Sequence, residues 1–375
     1  METIVVSGSI AQRPRRPGHA WAFLSYLLGF QELGYEVHFV DRLEGSGAAV
    51  AAGSAQARWL AAAMSVAGLE SRYTLLLDGG ESLGLPRRQL AERLRGAPLL
   101  LNVNGFLTDP DLLAAARRRV YLDIDPGFGQ IWAAQGLADT FAGHDDFVTV
   151  GTNLGGPDCT VPTLGREWIA TLPPLPLGRW PVAAGGRGFT SVGSWRGPFA
   201  PLEHEGRRLG LRAHEMRRFA SLPSRVGAPF ELALDIDPAD AADGEGLRRG
   251  GWQLRDPQRE LGDFDSYAAF LRGSAAEIAI AKQLYVATRG GWFSDRSAAY
   301  LASGKPVIAQ DTGFGAALPT GAGLLSFNDP DGAVAAAEQV LARPRQHAEA
   351  ARRLAEEHLD ARLVLGRLLE RLEVR

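Results

Sequence analysis

Short apolar runs alternate with amphipathic segments through the first half of the chain. Runs such as "TIVVSGSI", "YTLLLDG" and "PLLLNVNG" have the length of strands, whereas residues 20–33 and "RRQLAERLR" have the spacing of helices. Uninterrupted apolar strands separated by amphipathic helices are typical of a parallel sheet with both faces covered. The pattern predicts an α/β, Rossmann-like domain over residues 1–176.

A second alternation begins after a segment that is rich in proline and glycine, "TLPPLPLGRWPVAAGGRG". Proline cannot sit inside a central strand, so we expect a semi-rigid linker, placed at residues 177–188. The runs "FTSVGSW", "FELALDI" and "EIAIAK" then predict a second Rossmann-like domain over residues 189–350. A C-terminal helix is expected over residues 351–375, and its return to the N-terminal domain stays open.

Composition narrows the class of protein. The 375 residues are 46% hydrophobic and 22% charged, with a net charge of −3, which is typical of a globular protein and argues against general nucleic-acid binding. The single cysteine, Cys159, excludes an internal disulfide and a multi-cysteine metal site. With no apolar run of spanning length and no leader-like start, we expect a cytoplasmic protein. Peripheral membrane contact and the oligomeric state stay open.

The stretch "FSDRSAAYLASGKPVIAQDTGFG", residues 293–315, predicts a helix and a strand with a polar turn before and after them. A helix N-terminus presents unpaired amide groups and a positive dipole end, which suits a phosphate. We therefore predict a diphosphate site formed by the two turns; the alternatives are an ordinary helix cap and an ordinary turn. The residues in question are Ser294, Asp295, Arg296 and Ser297 in the first turn, and Asp311, Thr312 and Gly313 in the second.

The order of the two halves, and "AYLASGKPVIAQDTGFG" in particular, resembles the GT-B glycosyltransferases and is distantly similar to their group 1 or family 4 type. "RPGHAW" is similar to the Gly-His loop of inverting members. The resemblance implies two Rossmann-like domains that face each other across a cleft, with the acceptor in the N-terminal domain and a nucleotide-sugar in the C-terminal one. Retaining members often carry two glutamates eight residues apart, and this chain has Gly291 and Ala299 at those places.

The resemblance also assigns roles beyond the two turns. Gly193, Ser194 and Arg196 follow the first strand of the second half and are expected near the donor phosphates; a tight turn is the alternative. Lys282 ends the strand "EIAIAK" and is expected to neutralise the diphosphate leaving group, as a metal ion does elsewhere. A lysine that simply extends into solvent is the competing interpretation.

The N-terminal half is expected to supply the catalytic base. His19 follows the first strand and Asp125 follows a later one, so we predict a dyad in which Asp125 orients His19 and His19 deprotonates the acceptor hydroxyl. His144 in "GHDDF" is an alternative base, and purely structural roles for these residues are the simpler hypothesis. No metal site is predicted, because adjacent residues such as those of "HDD" do not converge easily on one ion.

The resulting functional hypothesis is a metal-independent glycosyltransferase of the hexosyltransferase type, EC 2.4. Its co-substrate would be a UDP-, TDP- or GDP-sugar, its acceptor a small molecule or glycan, and no further cofactor is expected. The alternatives are a nucleotide-sugar 2-epimerase and a non-enzymatic GT-B-like binding protein. A nicotinamide enzyme is disfavoured because "VSGSIAQRPRRPG" lacks the G-x-G-x-x-G spacing. The abundance of Ala, Arg and Gly suggests a bacterial source and a natural-product or glycan pathway.

Overall fold

The computed structural model describes residues 2–45, 52–197 and 199–374. The chain forms two compact units. The first is made of Met1–Val150, Thr163–Pro176 and Ala361–Arg375, and the second of Gly151–Pro162 and Leu177–Asp360. The sequence pattern divides the chain once, at residue 176. In the structure, residues 151–162 belong to the second unit although they precede that boundary. That segment contains no described helix or strand, so periodicity has nothing to assign there.

The described part of the first unit contains an eight-stranded sheet. Its strands are β1 (Thr3–Ser7), β2 (Glu36–Leu43), β3 (Tyr73–Leu77), β4 (Ser82–Gly84), β5 (Leu100–Val103), β6 (Arg119–Asp123), β7 (Asp146–Thr149) and β8 (Trp168–Ala170). The strand order is β4-β3-β2-β1-β5-β6-β7-β8, and only the β3–β4 pair is antiparallel. The order changes direction between β1 and β5, and ligands bind at such switch points in open α/β sheets.

Helices follow most strands of this unit, as the sequence pattern predicts. They are α1 (Pro17–Glu32), α2 (Ala55–Val66), α3 (Arg87–Gly96), α4 (Pro110–Ala115) and α5 (Phe128–Ala134). Local signals fix their first turns: Pro17 stands in the first turn of α1, and the Ser54 hydroxyl accepts a hydrogen bond from the Ala57 amide at the start of α2. None of the helices in the described residues is both long and apolar enough to cross a membrane.

The described part of the second unit contains a six-stranded parallel sheet and a separate hairpin. The sheet strands are β9 (Phe189–Ser194), β12 (Phe230–Asp235), β13 (Trp252–Arg255), β14 (Ala276–Ala279), β15 (Val307–Gln310) and β16 (Leu324–Phe327); the hairpin is β10 (Leu202–His204) with β11 (Arg207–Leu209). The order β13-β12-β9-β14-β15-β16 is the 3-2-1-4-5-6 order of a doubly wound sheet. Its switch point therefore lies between β9 and β14.

Helices and aromatic packing complete the second unit. The helices are α6 (Arg212–Met216), α7 (Ala241–Arg249), α8 (Pro257–Glu260), α9 (Phe264–Arg272), α10 (Gln283–Thr288), α11 (Asp295–Ala302), α12 (Pro330–Ala342) and α13 (Pro344–Leu354). In the core, the Phe230 ring stacks on Phe189 at 4.8 Å and meets Trp252 edge-on at 5.2 Å. Residues 177–188, predicted as a linker, pack on this unit: Trp180 is buried, and Lys305 Nζ donates to the Gly185 carbonyl at 2.6 Å.

The last helix, α14 (Ala361–Arg371), belongs to the first unit and packs on α1. The two helices approach closely at Gly29 of α1. A Cβ atom at Gly29 would lie 2.6 Å from Leu365 Cδ1 and 2.8 Å from Ala361 Cβ. The absence of a side chain at Gly29 therefore permits the contact between α1 and α14.

Gly29→Ala is expected to lower the free energy of unfolding by about 1–3 kcal/mol, because the new methyl group overpacks the α1–α14 contact. Gly366→Ala is the matched control, since a Cβ there meets no atom within 4 Å. Alanine forms helices better than glycine, so this variant should gain up to about 1 kcal/mol. Urea unfolding measures both, and equal effects of the two variants would contradict the packing argument.

Candidate functional site

The two polar turns of residues 293–315 line one pocket in the second unit. The pocket is an open depression at the carboxyl ends of β14 and β15. Its walls are Ala279, Ile280, Ala281, Trp292, Phe293, Ser294, Arg296, Ser297, Ala309, Gln310, Thr312 and Phe314. The turns are hydrogen-bonded to each other: Thr312 Oγ1 donates to the Trp292 carbonyl at 2.5 Å, and the Gly291 amide donates to the Thr312 carbonyl at 2.7 Å.

The first turn is the N-terminus of α11. The hydroxyl of Ser294, a buried residue, caps the helix by accepting a hydrogen bond from the Arg296 amide at 3.2 Å. Asp295 occupies the first turn of the helix. The Ser297 hydroxyl lines the pocket and has no hydrogen-bond partner among the described residues. The helix end thus has its own cap and still offers a hydroxyl and a positive dipole end to a ligand.

Arg296 and Glu277 form a buried ion pair at the switch point. Arg296 Nε lies 2.5 Å from Glu277 Oε1 on β14, and Arg296 Nη1 donates to the Val192 carbonyl on β9 at 2.9 Å. The side chains are 10% and 0% exposed. Burial lowers the pKa of Arg296, but Glu277 more than offsets this and holds that pKa above the usual value. Arg296 therefore fastens α11 to both strands that border the switch point.

A second guanidinium, that of Arg212, lies at the same place. Arg212 is the first residue of α6, and its Nη1 atom occupies the space that a Cβ at Gly193 would need. Burial and the neighbouring charge of Arg296 together lower the pKa of Arg212 to about 9, although Glu277 acts in the opposite direction. Among the described residues Arg212 makes no hydrogen bond or ion pair. Two cations and one carboxylate therefore leave an excess of positive charge at the end of β9.

Sequence reasoning missed Arg212. The β10–β11 hairpin is inserted between β9 and α6, so residues 194–211 separate Arg212 from Gly193 along the chain. The signal that could have found it is the restart of a helical pattern at "RAHEMRRF" with an arginine in its first position.

Lys282 lies at the N-cap of α10, directly after the residues that form the pocket wall beyond β14. Its Nζ atom donates to the Tyr285 hydroxyl at 2.9 Å and lies over the rings of Tyr285 and Phe199, at 4.9 Å and 5.4 Å from their centres. Tyr285 in turn stacks on Trp292 at 4.5 Å. Lys282 is thus connected to the pocket wall through aromatic rings.

Besides Arg296, two predicted donor residues form ion pairs within the protein. Arg196 is half exposed and holds Asp240 through two hydrogen bonds of 2.6 and 2.8 Å. Asp311 accepts from Arg289 Nη1 at 2.9 Å and from the Gly313 amide at 2.8 Å, so it shapes its own turn. Gly193 lies under Arg212, and Ser194 ends β9. Arg212 is therefore better placed than Arg196 to meet an anion at the end of β9.

In the first unit, His19 stands in the first turn of α1, and its ring is neutral. His19 Nε2 lies 2.9 Å from the Ser9 carbonyl oxygen and 3.3 Å from Ser9 Oγ. A carbonyl only accepts hydrogen bonds, so we assign the proton to Nε2 and the lone pair to Nδ1. Burial lowers the pKa of His19 to about 4, and Asp125 acts weakly in the opposite direction. The tautomer is therefore fixed by Ser9, where the predicted dyad has Asp125 in that role.

Asp125 lies in the turn after β6, and hydrogen bonds to Asp123 hold that turn in place. Asp123 is buried and accepts from Gln130 Nε2 at 2.6 Å, from Thr149 Oγ1 at 2.9 Å and from the Asp125 amide at 3.1 Å. Burial raises the pKa of Asp123 to about 6. The network holds the turn after β6 in place, and Asp125 is near enough to His19 to act on its charge.

The alternative base, His144, uses both ring nitrogens within the protein. Asn102 Nδ2 donates to His144 Nε2 at 2.9 Å, and His144 Nδ1 lies 3.1 Å from the Phe141 carbonyl oxygen. Burial lowers the pKa of His144. These contacts favour a structural role for His144.

Comparison with solved structures finds similar folds along the whole chain. Sucrose-phosphate synthase from Thermosynechococcus elongatus superposes with a TM-score of 0.56 at 13% identity, with 99% of each chain covered. A glycosyltransferase from Rickettsia africae gives 0.55 at 10% identity, with 98% of this chain and 97% of that one covered. Anabaena HepE, in complex with UDP and glucose, gives 0.58 at 12% identity with both chains fully covered.

The protein has the GT-B fold. This confirms the fold class predicted from the alternation of strands and helices, and the GT-B resemblance seen in the sequence. No family model matches the sequence, and no curated protein matches it. The likeness to these solved structures is therefore carried by the backbone, at identities of 10–13%.

Glu277→Gln is expected to lower the free energy of unfolding by about 3–5 kcal/mol, because Arg296 is then left as a buried charge without its partner. The matched control is Glu349→Gln, which removes an exposed ion pair with Arg345 one helical turn away on α13. That change should cost less than about 0.5 kcal/mol. Urea unfolding at neutral pH measures the free energy of unfolding of both variants. Similar losses would show that the buried ion pair contributes no more to stability than the exposed one.

His19→Gln should change how stability depends on pH. The folded protein holds the His19 pKa at about 4, against 6.5 for an ordinary histidine. Between these values the unfolded chain binds more protons, so the wild type loses stability as the pH falls. Relative to His19→Gln, the wild type should lose up to about 3 kcal/mol across this interval. Urea unfolding of both proteins at several pH values gives the difference, which cancels the contribution of Asp123. A pH-independent difference would contradict a lowered pKa of His19 in the folded protein.

Proposed function

We propose that the protein is a glycosyltransferase of the hexosyltransferase type, which moves a sugar from a nucleotide-diphosphate sugar to a small-molecule or glycan acceptor. The observation that carries the proposal is the switch point of the second sheet. There, Arg212 has no partner among the described residues, Arg296 fastens the N-terminus of α11, and the two polar turns line one pocket.

A diphosphate is the ligand class that this arrangement fits best. Arg212 offers planar donors to phosphate oxygens and is charged at neutral pH, and the α11 N-terminus with the Ser297 hydroxyl adds further donors. These interactions are stronger away from bulk water. When the bond between the anomeric carbon and the phosphate oxygen breaks, the diphosphate leaves with both electrons, and the same donors stabilise its new negative charge. We propose that this positive charge serves in place of a divalent cation.

Solved relatives of similar fold support uridine nucleotides as the first probes. HepE from Anabaena has been solved in complex with UDP and with UDP-glucose. UDP, TDP and GDP donors all remain within the proposal, since the pocket residues described above address the diphosphate and not the base.

For the acceptor side we propose His19 and Asp125. The acceptor hydroxyl forms the new bond to the anomeric carbon and must lose its proton. His19 Nδ1 carries a lone pair that can accept a hydrogen bond from that hydroxyl, although a pKa of about 4 makes the ring a weak base. Asp125 lies close enough to stabilise a positive charge that forms on the ring.

Thermal unfolding with UDP, TDP and GDP tests donor binding, because a ligand that binds only the folded protein raises its melting temperature. Incubation of the matching nucleotide-sugar with a panel of acceptors, with and without a chelator, then tests transfer. Acceptor-dependent release of nucleotide diphosphate in the chelator supports the proposal. Turnover of the nucleotide-sugar alone into an isomer would indicate the epimerase, and nucleotide binding without turnover would indicate a binding protein.

Arg212→Gln is expected to weaken binding of the nucleotide diphosphate about 10- to 100-fold, because a charge-assisted hydrogen bond to phosphate contributes about 1.5–3 kcal/mol. Titration calorimetry with the nucleotide that gives the largest thermal shift measures the effect. Arg196→Gln is the control, since that guanidinium is half exposed and paired with Asp240. Equal losses in the two variants would place the phosphate nearer the β9–β10 loop than we propose.

A further inference from the structure

Residues 151–162, which we call the strap, belong to the second unit although the chain on both sides belongs to the first. The strap is bonded along its length to the turn between α10 and α11. Gly151 forms an antiparallel bridge with Trp292, Thr152 Oγ1 donates to the Gly291 carbonyl at 3.0 Å, and the Asn153 amide donates to the Gly290 carbonyl at 3.1 Å. This turn leads directly into the Ser294 cap of the pocket helix.

Asn153 lies at the centre of these contacts. Its side-chain Nδ2 donates to the Arg289 carbonyl and to Asp158 Oδ1, both at 2.8 Å. Because both partners only accept hydrogen bonds, the orientation of the amide is fixed. Arg289 itself has a left-handed backbone, with φ of 51°, at the end of α10. The Asn153 amide therefore holds the residue at which the chain turns from α10 toward the pocket.

The same cluster reaches the second polar turn. The Arg289 guanidinium bridges two carboxylates, with Nε 2.6 Å from Asp158 and Nη1 2.9 Å from Asp311. Packing is tight: a Cβ at Gly313 would lie 2.8 Å from the Arg289 carbonyl oxygen and 3.1 Å from Asn153 Nδ2. The strap thus ties together both turns that line the pocket.

The turn between the helices needs such support. Its residues Gly290 and Gly291 are adjacent glycines, which lose the most conformational freedom on ordering, and Gly291 has φ of 84°. Hydrogen bonds from the strap restrain the backbone of these two glycines, which have no side chains to do so. A site that binds a diphosphate through backbone amides and a helix end depends on the placement of its turns.

We propose that Asn153, together with Asp158 and Arg289, positions the two turns of the nucleotide-diphosphate pocket. Asn153 acts through the Arg289 and Gly290 carbonyls and is absent from the pocket wall. The inference rests on the proposed function, because it assigns the strap to the same donor site. It predicts that the pocket loses affinity for its ligand when the strap loosens.

Asn153→Ala and Asn153→Asp both remove the two donated hydrogen bonds, and the aspartate variant keeps the side-chain shape. Each is expected to raise the Kd for UDP, or for whichever of TDP and GDP the wild type binds best, and the KM for the matching nucleotide-sugar by about tenfold. The KM for the acceptor should not change. Asp158→Asn, at a half-exposed position, should raise the same two constants by a smaller factor. This variant provides the test if the Asn153 variants do not fold.

The matched control is Asp263→Ala, which removes the N-cap of α9 in the same unit, where the Asp263 side chain accepts from the Ser266 amide. It should lower the melting temperature and leave the Kd unchanged. If the Asn153 variants lose melting temperature and bind the nucleotide as the wild type does, the strap is only structural and the inference is wrong. If the wild type binds none of UDP, TDP and GDP, the proposed function fails, and this inference fails with it.

Discussion

The ion pair between Arg296 and Glu277 is the interaction on which the rest of the second unit depends. A charge as deeply buried as that of Glu277 is tolerated only beside an opposite charge. Arg296 meets that condition and also binds the Val192 carbonyl, so one side chain joins the pocket helix to both strands of the switch point. Glu277 carries one negative charge against the two positive charges of Arg296 and Arg212, so a positive charge remains at the end of β9. The placement of the pocket helix and the balance of charge at the switch point therefore depend on the same carboxylate.

Much of this fold could be predicted from the sequence, for a simple physical reason. Strands that are buried on both faces must be apolar throughout, and the helices that cover them must be amphipathic, so the alternation is visible without a homologue. The placement of Ser294, Arg296, Ser297 and Thr312 around one pocket could be predicted in the same way. Both turns border neighbouring parallel strands, and the carboxyl ends of such strands share one edge of the sheet.

The remainder of the site depends on contacts between distant residues, which local patterns do not encode. Arg212 contacts Gly193 because the residues between them form the separate β10–β11 hairpin and bring the chain back to β9. Ser9, and not a carboxylate, holds the ring of His19, through a backbone carbonyl that no side-chain motif could reveal. The position of Arg196 after β9 suggested a contact with phosphate, but Arg196 pairs with Asp240, which is distant in the sequence. The segment 151–162 has neither helical nor strand periodicity, so nothing in its sequence indicates where it packs.

The strap also determines how this protein can be divided. A fragment from Leu177 to Asp360 would retain every described strand of the second sheet but would lack residues 151–162. The glycines that lead into the pocket helix would then have no partner for their carbonyls. A chimaera assembled by cutting at the proline-rich segment has the same defect, because it combines the second unit of one protein with the strap of another. The unit of exchange in this chain is therefore discontinuous, and its shorter piece lies inside the opposite half of the sequence.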